Sequence, residues 1–246
     1  MRRAVLLLTL MALTILAASG VAGAIINGQP DGSRHPYVGM VYNDGAMCSG
    51  TLISPTAFLT AGHCTSSLRQ GGSQVYVTFE SQADFDPQGA YRGTPLTHPS
   101  YPAVDVGVVV LERPVTNVGY GRLPAAGLVN TLEVGQPLTA VGYGWRGSFR
   151  FPAGFPLRPE ASRIRYVGTL EFLGIYQGKY IQVSGGGLRS NEAGACYGDS
   201  GGPLFPSPDQ TTVVGVVSRG SPVCAGQSLA QRIDLPLVLS WVNGFL

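Results

Sequence analysis

Thr212-Val213-Val214-Gly215-Val216-Val217-Ser218 is a run of four valines, framed by Ser207-Pro208-Asp209 on one side and Gly220-Ser221-Pro222 on the other. Valine branches at Cβ and suits a pleated, half-buried surface, whereas Pro, Asp, Gly and Ser end such runs, so the stretch reads as one short strand. Similar runs recur at Tyr37–Tyr42, Gly50–Ile53, Gln74–Phe79 and Val106–Leu111. Glycine (35 residues) and proline (18) are too frequent for long helices, and a hydrophobic fraction of 44% is too high for disorder. The pattern predicts an all-β fold of many brief strands. Only the tail from Leu235 to Phe245 has a helical period, with Leu237, Val238, Trp241 and Val242 spaced for one face that docks on the sheets.

The chain opens Met1-Arg2-Arg3, continues with an apolar run from Ala4 to Ala18, and reaches small residues ending Ala22-Gly23-Ala24. The apolar run falls short of the roughly 20 residues that span a bilayer, and the small residues fit a cleavage site. The start therefore reads as a secretory signal peptide over residues 1–24, cut after Ala24, which predicts an extracellular protein. The remaining 222 residues suit one all-β domain or a pair of barrels. Losing Arg2 and Arg3 leaves 14 basic against 14 acidic residues, a formally neutral chain whose scattered arginines read as solvated surface. Without a concentrated basic face, neither a nucleic-acid partner nor, after signal removal, a membrane partner is expected. Cys48, Cys64, Cys196 and Cys224 in an exported chain point to disulfides, with three connectivities open. They lack the clustered pairs of a zinc site, so no metal is expected.

Three separated segments carry chemistry: Leu59-Thr60-Ala61-Gly62-His63-Cys64, then Asp105-Val106-Gly107-Val108-Val109-Val110-Leu111, then Gly198-Asp199-Ser200-Gly201-Gly202-Pro203. Singly, each has an ordinary structural meaning: a turn, a packed histidine, an Asp capping a strand. In this order, with separations of 42 and 95 residues, they resemble the active-site segments of the chymotrypsin-like (trypsin-type) serine proteases. Gly62 stands where that family keeps an alanine. The resemblance runs from Ile25 to the C-terminal helix. It implies two packed antiparallel six-stranded β-barrels with a short C-terminal α-helix. Residues 25–130 would form the N-terminal barrel with His63 and Asp105, and 131–246 the C-terminal barrel with Ser200. The Gly-, Pro- and Ala-rich stretch 123–135 would be the crossover.

The resemblance also implies roles. Ser200 is the expected nucleophile, His63 its general base and then the acid for the leaving amine, and Asp105 the partner that fixes the imidazole tautomer. The N–H groups of Gly198 and Ser200 would bind the oxyanion, and Ser218 resembles the serine that supports the aspartate. The disulfides implied are Cys48–Cys64 beside the histidine and Cys196–Cys224 across the specificity pocket. Ile25-Ile26-Asn27-Gly28 resembles the family's activated N-terminus, whose amine pairs with the residue matching Asp199. Because Ile25 follows Ala24 directly, signal peptidase itself would create that terminus. The pocket is expected to involve Gly194, Ala195, Ser218, Gly220 and Ser228. Gly194 takes the place where trypsin-like members keep an aspartate, Val217 the place of a histidine in glutamate-specific ones, and Gly220 leaves the mouth open. A neutral slot favours large apolar or aromatic side chains, although Ser228 in place of a wall glycine would shorten it toward Leu or Met. Arg219 replaces the family's usual tryptophan beside the substrate backbone.

The function implied is a secreted serine endopeptidase needing no cofactor, with protein or peptide substrates, protein inhibitors as a further partner class, and a monomeric state. A calcium site is not expected, since the stretch from Ser66 to Asp86 offers only Glu80, Asp84 and Asp86. Gly144 to Pro159, with Trp145, Phe149, Phe151 and Phe155, reads as a surface loop. The competing functions are a catalytically silent binding module of protease fold, and a narrow-specificity protease or esterase using the same triad. Turnover of generic peptide or ester substrates separates them.

Overall fold

The structure, a computed structural model, describes residues 25–43, 46–70, 74–144, 163–186, 192–222 and 224–246. The signal peptide expected over 1–24 and almost all of the 144–159 loop lie outside the described residues. Strands β2 (Val38–Asn43), β3 (Ala46–Leu52), β4 (Ala57–Thr60), β5 (Val75–Thr78), β6 (Tyr91–Thr97) and β7 (Gly107–Leu111) close into one barrel in the order β2-β3-β4-β7-β6-β5. Strands β8 (Pro137–Gly142), β9 (Tyr166–Tyr176), β10 (Tyr180–Val183), β11 (Pro203–Pro206), β12 (Gly215–Gly220) and β13 (Ser228–Arg232) run β9-β10-β13-β12-β11-β8, and pairing of β8 with β9 closes the second barrel. All these pairings are antiparallel. A two-residue strand, β1 (Gln29–Pro30), ties the N-terminal arm to β9.

Alternation along the strands fills the two interiors: Val41, Phe58, Val77 and Val109 belong to the first core, Leu138, Leu170, Ile181 and Ala230 to the second. Every residue of β2 is buried, because Met40 and Tyr42 on its other face pack with Tyr143 from the second barrel. The chain between Leu111 and Pro137 crosses from one barrel to the other with a single 3-10 turn at Leu128–Thr131.

The strand read at Thr212–Ser218 runs instead from Gly215 to Gly220. Thr212 is engaged elsewhere, its hydroxyl donating to Asp209 at 2.5 Å and its N–H at 3.3 Å while it bridges Arg122 in parallel, and the ladder starts after it. The tail helix, α2 once α1 (Gly62–Gln70) is counted, spans Pro236–Asn243. Val238 and Val242 are buried, and Trp241 meets the His98 ring edge-on at 5.0 Å, but Leu237 is 60% exposed and off the packed face. The composition gave no sign of α1. It forms because the Cys48–Cys64 disulfide pins its first turn to β3 and because Leu68 packs into the first core, tertiary support that outweighs its two glycine- and serine-weakened turns.

The arginines are not all surface groups. Arg165 is 1% and Arg232 4% exposed. Each is buried with a carboxylate: Arg165 Nε donates to Asp31 Oδ2 at 2.7 Å, and Arg232 reaches both oxygens of Asp234 at 2.9 and 2.7 Å. Burial raises the Asp31 carboxyl, but hydrogen bonds and charge from His35 and Arg165 outweigh it and leave the pKa lowered.

Candidate active site

His63 is the second residue of α1, Asp105 lies just before β7, and Ser200 lies in the turn before β11, so two groups come from one barrel and one from the other. Asp105 joins the first two. Its Oδ1 accepts the backbone N–H of His63 at 2.8 Å, at the N-terminus of α1 where a negative charge is favoured, and its Oδ2 faces His63 Nδ1 at 2.9 Å. Ser218 Oγ donates to the same Oδ2 at 2.6 Å. The Asp105 side chain is 7% exposed and that of His63 32%, leaving the imidazole open to the cleft. Burial raises the Asp105 carboxyl, and hydrogen bonds from the His63 ring, its charge, Ser218 and the His63 backbone outweigh that, so the pKa is lowered.

Ser218→Ala removes one of these donors. A carboxyl with a depressed folded pKa stabilises the fold above its unfolded pKa, and this contribution is lost as pH falls through the folded value. Deleting the hydroxyl brings the two values closer, so acid unfolding, followed by circular dichroism, should shift to higher pH. A fall in kcat of about tenfold is expected, the scale of one hydrogen bond to a charged group.

Ser200 and His63 face one cavity of about 360 Å³. No hydrogen bond links His63 to Ser200 Oγ among those of the described residues, as is common in a site without substrate. Gly198 has φ +90, a conformation closed to most side chains, and the N–H groups of Gly198 and Ser200 have no acceptor among the described residues. The turn is braced from the first barrel: Ser49 N–H donates to Ser200 O at 2.8 Å, and Ser49 Oγ donates to Gly198 O at 2.8 Å while accepting from Tyr143 N–H at 2.9 Å.

Asp199 points away from the cavity into complete burial. Its carboxylate accepts the N–H groups of Cys196 and Gly144, both at 2.9 Å, and no Lys, Arg or His lies within ion-pair distance among the described residues. Burial pushes its pKa up to about 8 against the pull of the two N–H groups. Gly142 and Gly144 make the space, since a Cβ at either would stand 2.3 or 2.4 Å from an Asp199 oxygen. Ile25 is wholly buried in the second core, with Ala193 and Ala195. Its neighbour Ile26 exchanges two hydrogen bonds with Gly194, at 2.8 and 3.1 Å, two residues before Cys196.

Ala195, Val217, Ser218, Gly220 and Ser228 line the cavity, together with Cys196 and Cys224, which are joined in a disulfide. Gly194 does not line it. Its backbone is occupied by Ile26, and a Cβ there would meet Gly186 N at 2.4 Å. Ser228 Oγ leans toward the opposite wall, 2.8 Å from where a Cβ on Gly220 would sit. Among the described residues no carboxylate lines the cavity, and Arg219 brings a cation to it. Sequence reasoning missed Ser49 and also Gln231, whose Oε1 accepts the Asp105 N–H at 3.1 Å from a buried position on β13. Neither lies in a recognisable segment.

Among known proteins, the trypsin family model matches residues 25–242. The chain is 30% identical over 217 residues to kallikrein-12 of Homo sapiens, covering 82% of each chain. It is 26% identical over 200 residues to the protein C activator of Agkistrodon piscivorus leucostoma, covering 78% of this chain and 74% of that one. The solved structure of human heparin binding protein shares the fold, with a TM-score of 0.66 at 20% identity, over 89% of this chain and 96% of that one. Fold and relatives together define a serine endopeptidase. The chain belongs to the trypsin family of chymotrypsin-like proteases.

Proposed function

We propose that the protein is a secreted endopeptidase that cleaves peptide bonds through an acyl-enzyme formed on Ser200, with His63 and Asp105 completing the triad. The observation that carries this reading is the Asp105 carboxylate, gripped by the His63 backbone, the His63 ring and Ser218, with the free edge of that ring opening on the cavity that Ser200 also lines. Asp105 holds the proton on Nδ1, which leaves Nε2 as the base for the Ser200 hydroxyl. His63 then returns the proton to the leaving amine. The oxyanion that forms on the substrate carbonyl is bound by the unengaged N–H groups of Gly198 and Ser200, donors whose individual loss costs on the order of 10²–10³ in rate.

The substrate backbone pairs with β12. One edge of that strand is covered by β13 except at a bulge on Ser218, while the other loses its partner after Val217, leaving Ser218 to Gly220 open for an extended peptide to add as an antiparallel strand. The residue before the cut enters the cavity. With no carboxylate among its described lining residues and with Val217 and Ala195 on its walls, the cavity suits a large apolar or aromatic side chain, and the Ser228 hydroxyl shifts the choice toward Leu and Met. The apolar leader, the disulfides and descent from a family with venom members support export. Signal peptidase then supplies Ile25 as the new terminus, and no separate activating protease is needed.

The test is fluorophosphonate labelling of the purified mature protein, with N-terminal sequencing. Labelling that disappears in Ser200→Ala, on a chain that starts at Ile25 and hydrolyses apolar peptide amides, is the expected result. A correctly processed chain that neither labels nor turns over peptide would show a binding module instead.

A further inference from the structure

On the wall where the substrate backbone is placed, the side chain of Arg219 is held in a fixed position. Its guanidinium lies 4.8 Å from the centroid of the Tyr180 ring and donates a hydrogen bond to the Tyr180 hydroxyl. Tyr180 is 1% exposed, so the ring that holds the guanidinium is itself immobile. Lys179 reaches the same ring, with Nζ 5.2 Å from its centroid and 3.4 Å from the carbonyl of Ala103, in the segment that leads into Asp105. Neither cation has a carboxylate within ion-pair distance among the described residues, whereas Arg34, Arg92, Arg122, Arg165 and Arg232 all do. Arg219 shares the cavity with His63 and Ser200.

An extended peptide on the open edge of β12 passes beside this guanidinium. Covering an unpaired cation without compensation is unfavourable, and a carboxylate is the group whose geometry and charge match the guanidinium fork. A basic side chain at the same place meets two positive charges. We propose that Arg219, supported by Lys179, selects substrates with Asp or Glu at one of the three positions immediately upstream of the residue that enters the cavity. This rests on the endopeptidase reading above and names the substrate class for it: peptides with an apolar residue at the cut and an acidic residue shortly before it.

The experiment uses the mature protein and tetrapeptide coumarin amides that share one apolar residue next to the cut. Each upstream position in turn carries Glu, Gln or Lys. At the selecting position kcat/KM is expected to be about tenfold higher for Glu than for Lys, with Gln between, the combined scale of one exposed attraction and one exposed repulsion. That ratio should shrink in 1 M salt, fall severalfold in Arg219→Gln to the remainder due to Lys179, and persist more fully in Arg219→Lys. A ratio near one at every position in the wild-type protein, with fluorophosphonate labelling and turnover of the Gln peptides intact, overturns acidic selection and leaves the endopeptidase reading standing. An undiminished ratio in Arg219→Gln overturns the assignment to this residue. Loss of labelling and of all turnover in the wild-type protein overturns both readings.

Discussion

Asp105→Asn is expected to lower kcat by about 10⁴ while leaving the fold and the cavity in place, the loss that follows when a triad imidazole is held in the wrong tautomer. The reason lies in how the two carboxylate oxygens are used. Oδ1 faces the backbone N–H of His63, a donor that cannot give up its proton, and Oδ2 faces His63 Nδ1 and the Ser218 hydroxyl. An asparagine must therefore keep its carbonyl at the first position and turn its NH₂ toward the second. The serine hydroxyl can rotate to accept, but the imidazole can accommodate an NH₂ only by making Nδ1 an acceptor and carrying its proton on Nε2, where the base for Ser200 is required. Steady-state kinetics with an apolar peptide amide measure the loss, and an unchanged melting temperature shows that it is not one of folding. A kcat within tenfold of the wild type would remove Asp105 from the mechanism.

A chain that begins at Ile25 should turn over peptide about 10²- to 10³-fold faster than one that still carries Ala24. Asp199 is completely buried with two N–H donors and, among the described residues, no cation, and burial pushes its pKa up to about 8, which favours the protonated carboxyl far more than in an ordinary aspartate. In that state the carboxyl binds its proton more tightly folded than unfolded, so stability falls as pH rises from near the ordinary carboxylate value toward 8. A free α-amine, ordinarily titrating near 8, reverses this by pairing with the ionised form. The Ile26–Gly194 bridge fixes the residue after Ile25 to the segment that leads to Asp199, the anchorage this pairing requires. Stranding a buried charge costs about 3–5 kcal/mol, and because Asp199 can take up a proton instead, the lower end of that range sets the size of the effect. Because the pair dissolves when the amine loses its proton, activity should fall as pH rises through the amine pKa, and acetylating the terminus should abolish that limb together with the activity. Equal kcat for chains starting at Ala24 and Ile25 would disprove the pairing.

The strands and the three chemical segments were legible because each is written locally: β-branched runs between turn formers, and short clusters around His63, Asp105 and Ser200. What could not be read depends on partners far apart in sequence. Arg165 looks like any surface arginine until Asp31, 134 residues away, is brought against it. Gln231 and Ser49 are ordinary strand residues whose roles exist only once Asp105 N–H and Gly198 O arrive beside them. Helix α1 was invisible because its stability resides in a disulfide and in packing rather than in its residues' preferences. Gly194 shows a different limit: its distance in sequence from Ser200 says nothing of the backbone pair it makes with Ile26.

The Arg165 guanidinium donates to Asp31 and Gly32 O in the N-terminal arm, to Val38 O and Phe79 O of the first barrel, and to the Tyr143 hydroxyl of the second. It works as a rivet through both jaws of the molecule. Set in place as the chain folds, it ties the N-terminal arm and the two barrels into one frame before any substrate arrives.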